Sequence, residues 1–385
     1  MPNVPSVPPI VRWLVYLFTV ALFLWSIGRF YDPSTGFTAL IGFGETFAVR
    51  TLPAVKTNPH HIVRQSSGYD GQFYAQMATD PLLRDPAIDR AMDDAPLRAR
   101  RILFSWTAYV LGMGRPRWIL QAYALQNVLC WIVLSVLLLR WFPLTSGRTI
   151  ALWIATLLTG GLIWSVRSAL LDGPSLMLLA LGMTALERGH WWLSAAVFGV
   201  SGLARETNLL SVAAQVRPTA LSIRSIAAQL GQVVLIVLPL TVWFDYIYSI
   251  YRTLLYTTGS TLARPFAALV WKWQLTLSDV LARGWNASGR FSALTLLAVS
   301  VQAVYVAIRW DWKNPWWRLG MAYAVLMPLL GVPLWEGEPP TALRVLLPLA
   351  LAFNILLRDC KREALFWVLL VCGNATVVVG MAMLG

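Results

Sequence analysis

WILQAYALQNVLCWIVLSVLLL, residues 118–139, carries no charged side chain and is closed by Arg140. At about 1.5 Å of rise per residue, a helix of this length crosses a hydrocarbon core of about 30 Å. The run does not alternate apolar with polar residues, as the strand of a membrane barrel would. Comparable runs lie at 12–28, 150–166, 175–186, 226–243, 291–308, 319–333, 343–357 and 366–383. Of the 385 residues, 57% are apolar and 13% charged, about half the charged fraction of a soluble domain. The fold class expected is an all-α polytopic membrane protein, a single domain over 1–385 with about ten to eleven transmembrane helices. The first run ends in Gly28-Arg29-Phe30-Tyr31, with no small-x-small cleavage site, so it reads as an uncleaved span.

Two stretches depart from this pattern. Residues 191–216 are interrupted by Arg205-Glu206-Thr207-Asn208 and read as a broken pair of short helices, because charge at membrane depth is tolerated only inside protein or facing water. Residues 246–290 are mixed, with Trp271, Lys272 and Trp273, and read as an interfacial or re-entrant helix.

The net charge of +13 would point a soluble protein toward nucleic acid; here much of it sits in short loops, where it sets topology, and no nucleic-acid partner is expected. With the N-terminus in the cytoplasm, Arg140, Arg148, Arg188, Arg217, Arg224, Arg309, Lys313, Arg318, Arg358, Lys361 and Arg362 all fall on the cytoplasmic side. The same topology gathers four polar features on the outer face. They are the long segment 29–117, the turn Arg167–Asp172, Arg205-Glu206, and Trp335-Glu336-Gly337-Glu338. Segment 29–117 is thus a first extracytoplasmic loop carrying amphipathic juxtamembrane helices, one of them expected at 97–111. Cys130, Cys360 and Cys372 lie in or beside apolar runs without metal-ligand spacing and read as apolar fillers. No phosphate-binding glycine loop and no zinc motif occurs, and Asn286-Ala287-Ser288 matches a glycosylation sequon at chance level.

The outer loop contains Gly68-Tyr69-Asp70-Gly71-Gln72-Phe73-Tyr74 just before a short predicted helix that Pro81 ends. The Asp70 carboxylate suits a general base acting on an attacking hydroxyl; the simpler alternative is a cap on the helix that follows. Gly68 and Gly71 permit close backbone approach, and Tyr69, Gln72 and Tyr74 are candidates for sugar contact. Among Arg98, Arg100 and Arg101, two are expected to anchor at the lipid interface and Arg101 to face inward onto a phosphate. Arg205 and Glu206 at membrane depth suggest function, with Arg205 a phosphate ligand, against a buried ion pair with Asp172. Arg344, one turn into a span, reaches a phosphate or simply snorkels. Arg167, Asp172, Glu336 and Glu338 would shape the site; two carboxylates alone are weak evidence for a metal.

The run Tyr69-Asp70-Gly71-Gln72-Phe73-Tyr74, with Asp80-Pro81, Arg100-Arg101-Ile102-Leu103, Ala204-Arg205-Glu206-Thr207 and Arg344-Val345-Leu346-Leu347-Pro348, resembles the type-C glycosyltransferase superfamily, and within it a bacterial branch tied to cell-surface glycopolymers. The resemblance implies an integral-membrane enzyme of the bacterial cytoplasmic membrane that moves a sugar from a polyprenyl-phosphate donor to a glycan, lipid or protein acceptor at the extracytoplasmic face. It implies Asp70 as the catalytic base and Arg101, Arg205 or Arg344 as ligands of the donor phosphate. Many superfamily members carry paired acids in the first loop; here the motif has one, with Asp80 ten residues on, which leaves open whether a divalent cation takes part. A lipid-linked sugar transporter or a non-catalytic partner in envelope assembly stands as the alternative, since broken helices with charges at depth are also a transporter trait.

Overall fold

Polar caps and prolines at the ends of the apolar runs set where the helices start. The computed structural model describes residues 7–217, 222–253, 261–337 and 339–384. In it, Pro116 opens the helix Pro116–Leu138, and Ser146 with Thr149 forms a capping box for Gly147–Leu157. Asn314 caps Pro315–Leu326. Asn286 serves the same purpose: its side chain accepts from the Gly289 amide at 2.7 Å at the head of Ala287–Ile308. Each cap satisfies an amide that the first helical turn leaves without a partner.

Among the described residues, four helices are long and apolar enough to cross a membrane: Pro9–Gly28, Pro116–Leu138, Ile223–Tyr251 and Ala287–Ile308. Two further pairs, Gly147–Leu157 with Gly160–Arg167 and Glu363–Gly373 with Val377–Leu384, meet the same test together but bend by 42° and 53°. The chain is therefore all-helical, with four to six candidate spans that mark it as an integral membrane protein. The other expected spans fold as shorter helices, such as the 16-residue Asp172–Glu187 and the 11-residue Leu347–Leu357. At about 1.5 Å per residue the latter reaches only halfway through a bilayer core. The expected break at Arg205 is present, between Trp191–Ala204 and a 3-10 turn at Glu206–Ser211. One small departure from an all-helical chain is a parallel pairing of Phe43–Gly44 with Ile62–Val63.

The two bent pairs meet at their breaks. The Thr159 and Thr376 hydroxyls lie 2.9 Å apart, and the Gly160 amide donates to the Thr376 carbonyl at 3.0 Å. Asn354 donates to the Thr156 hydroxyl at 2.9 Å and to the Asn374 side chain at 3.0 Å. The Gly160 amide, left open by the first break, thus finds its acceptor beside the second, and Asn354 of a third helix ties the two together.

The charged loops sort to two ends of the bundle. At one end Arg140 pairs with Glu187, the Trp316 indole donates to Glu187, and Arg358 donates to the Trp141 carbonyl. At the other lie Asp70, Asp172, Arg205 and Arg344.

The segment between the first two long helices holds Asp70 through its backbone. Gly68 has φ +74°, a conformation open to glycine, and the next amide, of Tyr69, donates to the Gly42 carbonyl at 2.8 Å. Helix Gly71–Thr79 begins directly after Asp70. The amphipathic helix expected at 97–111 is instead two, Ala95–Ala99 and Leu103–Leu111. The Ala99 carbonyl, which a continuous helix would give to an amide four residues on, accepts from the Trp243 indole at 2.8 Å. That diversion leaves Arg100 and Arg101 in the turn between helices.

A methyl group on Gly71 would come within 2.6 Å of the carbonyls of Ile41 and Ser168, both main-chain atoms that cannot swing aside. Gly71→Ala should therefore lower stability by about 1–3 kcal/mol, read as a fall in the melting temperature of the detergent-solubilised protein. An unchanged melting temperature would show that this contact is loose.

Candidate functional site

Asp70 sits at the helix start yet makes no capping bond. Its Oδ1 accepts from Arg98 Nη2 at 2.9 Å, and no hydrogen bond engages Oδ2 among the described residues. The side chain keeps 35% of its surface exposed. Burial alone would raise the Asp70 carboxyl, but the guanidinium charges of Arg98 and Arg344 outweigh it and hold it below the usual carboxylate range. Asp70 is thus an ionised carboxylate with one free oxygen.

Arg98, expected at the lipid interface, is buried instead. It bonds Asp93 through Nε at 2.9 Å and Nη2 at 2.6 Å, and lies over the rings of Phe73 and Tyr74 at 5.0 and 5.7 Å. The acidic pair Asp93-Asp94 just upstream was the signal for it, since an arginine with acids close by has partners inside the protein. Arg101 faces inward as expected, bonding Glu206 through Nε at 2.9 Å and the Tyr74 hydroxyl at 3.3 Å.

A second carboxylate anchors the other arginines. Asp172 has 2% of its side chain exposed and accepts from Arg205 through Oδ1 and from Arg344 through Oδ2, the latter at 3.2 Å. Arg344 also donates to the Tyr69 hydroxyl at 3.3 Å and lies over the Tyr69 and Trp164 rings at 5.6 and 4.8 Å. Burial pushes the Tyr69 phenol up to about 12, so it stays protonated. Arg344 is therefore enclosed on every side, a clamp between Asp172 and Tyr69 and not an open phosphate ligand. Trp164 forms one wall of this clamp; nothing in its local sequence marks it.

A cavity of about 370 Å³ opens beside these groups. Arg100, Arg101, Arg205, Glu206 and Thr207 form its polar end, and leucines with Phe244 line the rest. Three buried polar atoms of this polar end, Arg100 Nε, Arg205 Nε and Thr207 Oγ1, have no hydrogen-bond partner. Arg100 has no ion pair among the described residues; its guanidinium lies over Phe244 at 5.7 Å. Asp70 and Arg344 do not line this cavity. Asp70 connects to it through Arg98, Tyr74 and Arg101, and Arg344 connects through Asp172 and Arg205.

The remaining sequence candidates lie elsewhere or carry structure. Gln72 is buried, accepts from the Gly44 amide at 3.1 Å and donates to the Ser67 carbonyl at 2.8 Å, so it braces the loop and is closed to a sugar. Asp80 accepts from the Asp85 amide at 2.7 Å and shapes a turn. Arg167 lies over Phe30 at 4.9 Å. Glu336 is exposed with no ion pair among the described residues, and Glu338 lies outside the described residues. No group of three or more His, Cys, Asp or Glu side chains converges among the described residues. Asp70, Asp172 and Glu206 are each held by arginine, and of the three Asp70 keeps an oxygen, Oδ2, with no hydrogen bond among the described residues.

Comparison with protein-family models and with curated proteins finds no match. The geometry carries the functional argument by itself.

Asp172→Asn leaves two buried arginines without their carboxylate and should cost on the order of 3–5 kcal/mol. Asp70→Asn, at a partly exposed site, should cost far less. Melting temperatures of the two variants in detergent compare them directly, and equal values would mean that Asp172 is not the central counter-charge.

Proposed function

We propose that this chain is an integral-membrane glycosyltransferase of the type-C kind. It transfers a sugar from a polyprenyl-phosphate donor to a cell-envelope acceptor at the extracytoplasmic face of a bacterial cytoplasmic membrane. One observation supports the reading: a cavity with unpartnered arginine nitrogens at one end and largely apolar walls beyond, linked through Arg101, Tyr74 and Arg98 to a partly exposed carboxylate. A lipid phosphate has the matching shape, an anion on an apolar chain. Unpartnered buried donors call for an acceptor, and arginine suits phosphate by its forked geometry.

In the proposed step the acceptor hydroxyl attacks the anomeric carbon and its proton passes to Asp70 Oδ2. The bond from that carbon to the phosphate oxygen breaks with inversion, and the polyprenyl phosphate leaves with its charge held by Arg100 and Arg101. A carboxyl held below its usual range is a weak base, so proton transfer comes late, as the new bond acidifies the hydroxyl. Arg205, bonded to Asp172 through Nη1, offers its unpartnered Nε at the same end of the cavity, while Arg344, which does not line the cavity, holds the frame. The expected topology, with the N-terminus in the cytoplasm, places this end of the bundle outside.

The rival reading is a transporter of a lipid-linked sugar. The two bent helix pairs favour it, because broken spans line many transporter sites. Against it, the groups at those breaks bond one another and leave nothing for a substrate.

Purified protein in vesicles with a labelled polyprenyl-phosphate sugar should transfer the label. Asp70→Asn should cut turnover by about 10²-fold or more. Full activity in a correctly inserted variant would sink the base assignment, and movement of the lipid without transfer would favour the transporter. Because the reactive form is the deprotonated carboxylate and its pKa is lowered, the rate should hold as pH falls from neutral and fail only below the ordinary carboxylate range. An acid limb near pH 6 would point to another base.

A further inference from the structure

The opposite end of the bundle holds a second cavity, of about 720 Å³. The 16-residue helix Asp172–Glu187 joins the two ends, so they stand roughly 22 Å apart along it. Glu187 organises one wall: it accepts from Arg140 Nε at 2.9 Å, from the Trp141 indole at 2.9 Å and from the Trp316 indole at 2.7 Å. The two indoles meet edge to face with centroids 5.1 Å apart.

This arrangement holds the cations by one side and leaves the other open. Arg140 is fixed through Nε, and neither of its terminal nitrogens has a partner among the described residues. Arg358 bonds Asp359 through Nε at 3.1 Å and the Trp141 carbonyl through Nη1 at 3.2 Å, which leaves Nη2. The Lys313 ammonium on the same cavity has no partner among the described residues. On the acidic side Glu187 accepts at both oxygens, Asp359 accepts through Oδ1 alone, and the Asp311 carboxylate has no partner among the described residues. Three cations thus face three carboxylates, but Arg140, Arg358 and Lys313 keep four nitrogens without a partner against three such oxygens on Asp311 and Asp359, so the chemistry that completes the cavity is a small anion with several oxygens. The balance of charge disfavours a polyanion and suits a singly charged phosphodiester.

We infer that this second cavity binds a phosphate group, held by Arg140, Arg358 and Lys313 against the Trp141–Trp316 wall. Guanidinium and ammonium donors between helix ends are the groups that take up phospholipid headgroups in an integral membrane protein, and tryptophan is enriched at the membrane interface. The inference does not use the transferase reading and stands or falls without it.

Native mass spectrometry of the full chain in neutral detergent tests it, with dioleoylphosphatidylglycerol as the probe and dioleoylglycerol, which lacks the phosphate, as the comparison. The phosphatidylglycerol adduct should survive at activation energies that strip dioleoylglycerol. Arg140→Gln with Arg358→Gln should reduce it to the dioleoylglycerol level. Lys313→Gln, whose side chain holds nothing else together, should weaken it several-fold with the melting temperature unchanged. Displacement by millimolar inorganic phosphate would assign the site to free phosphate, and persistence of the adduct would assign it to the lipid headgroup. Equal retention of both lipids, or an undiminished adduct in Lys313→Gln and in the double variant, would overturn the proposal.

Discussion

One carboxylate shared by two arginines holds together the end of the molecule that carries the candidate site. Asp172, Arg205 and Arg344 have 2%, 9% and 5% of their side chains exposed, and none of the three charges could be buried there alone. They come from three separate parts of the chain, so their meeting fixes how those parts pack. Arg205 is drawn out of the helix before it into an extended conformation, which turns the chain into the 3-10 stretch bearing Glu206 and Thr207. Arg344 reaches across to Tyr69 and so sets the backbone beside Asp70. The position of the proposed base is thus decided through two intermediaries by a carboxylate that never meets water.

Asp70 and Asp172 are the same residue type in opposite circumstances, and environment assigns their roles. Asp172 spends both oxygens on arginines. Asp70 spends one on Arg98 and keeps the other free at a half-exposed surface. A buried ion pair is poor evidence of net stabilisation, because desolvation offsets attraction. What the Asp172 cluster secures is a single arrangement, since any other would strand a charge.

Much of this was legible in the sequence where one residue's chemistry decided its fate. The spans at 118–139 and 291–308 were plain from unbroken apolar runs, and the break at Arg205 from a charge inside such a run. The gathering of Asp70, Asp172, Arg205 and Arg344 followed from loop charges. What escaped depends on partners far along the chain. Arg98 reads as an anchor until Asp70, 28 residues away, is seen to pair with it. The carbonyl left open at the break after Ala99 is taken up by Trp243, 144 residues on. Gln72 resembles a sugar ligand until both ends of its amide are found on backbone. Arg344 was right in place and wrong in freedom, because the rings that enclose it belong to distant segments.

The crossing of the two bent helix pairs bears on how the protein is made. Thr159 and Thr376 are 217 residues apart. The first leaves the ribosome before the second, and until the second arrives the Gly160 amide and the Thr159 hydroxyl lack the partners that Thr376 gives them. The contact that joins the two bends can thus form only after both segments have been made, however early the first bend is synthesised.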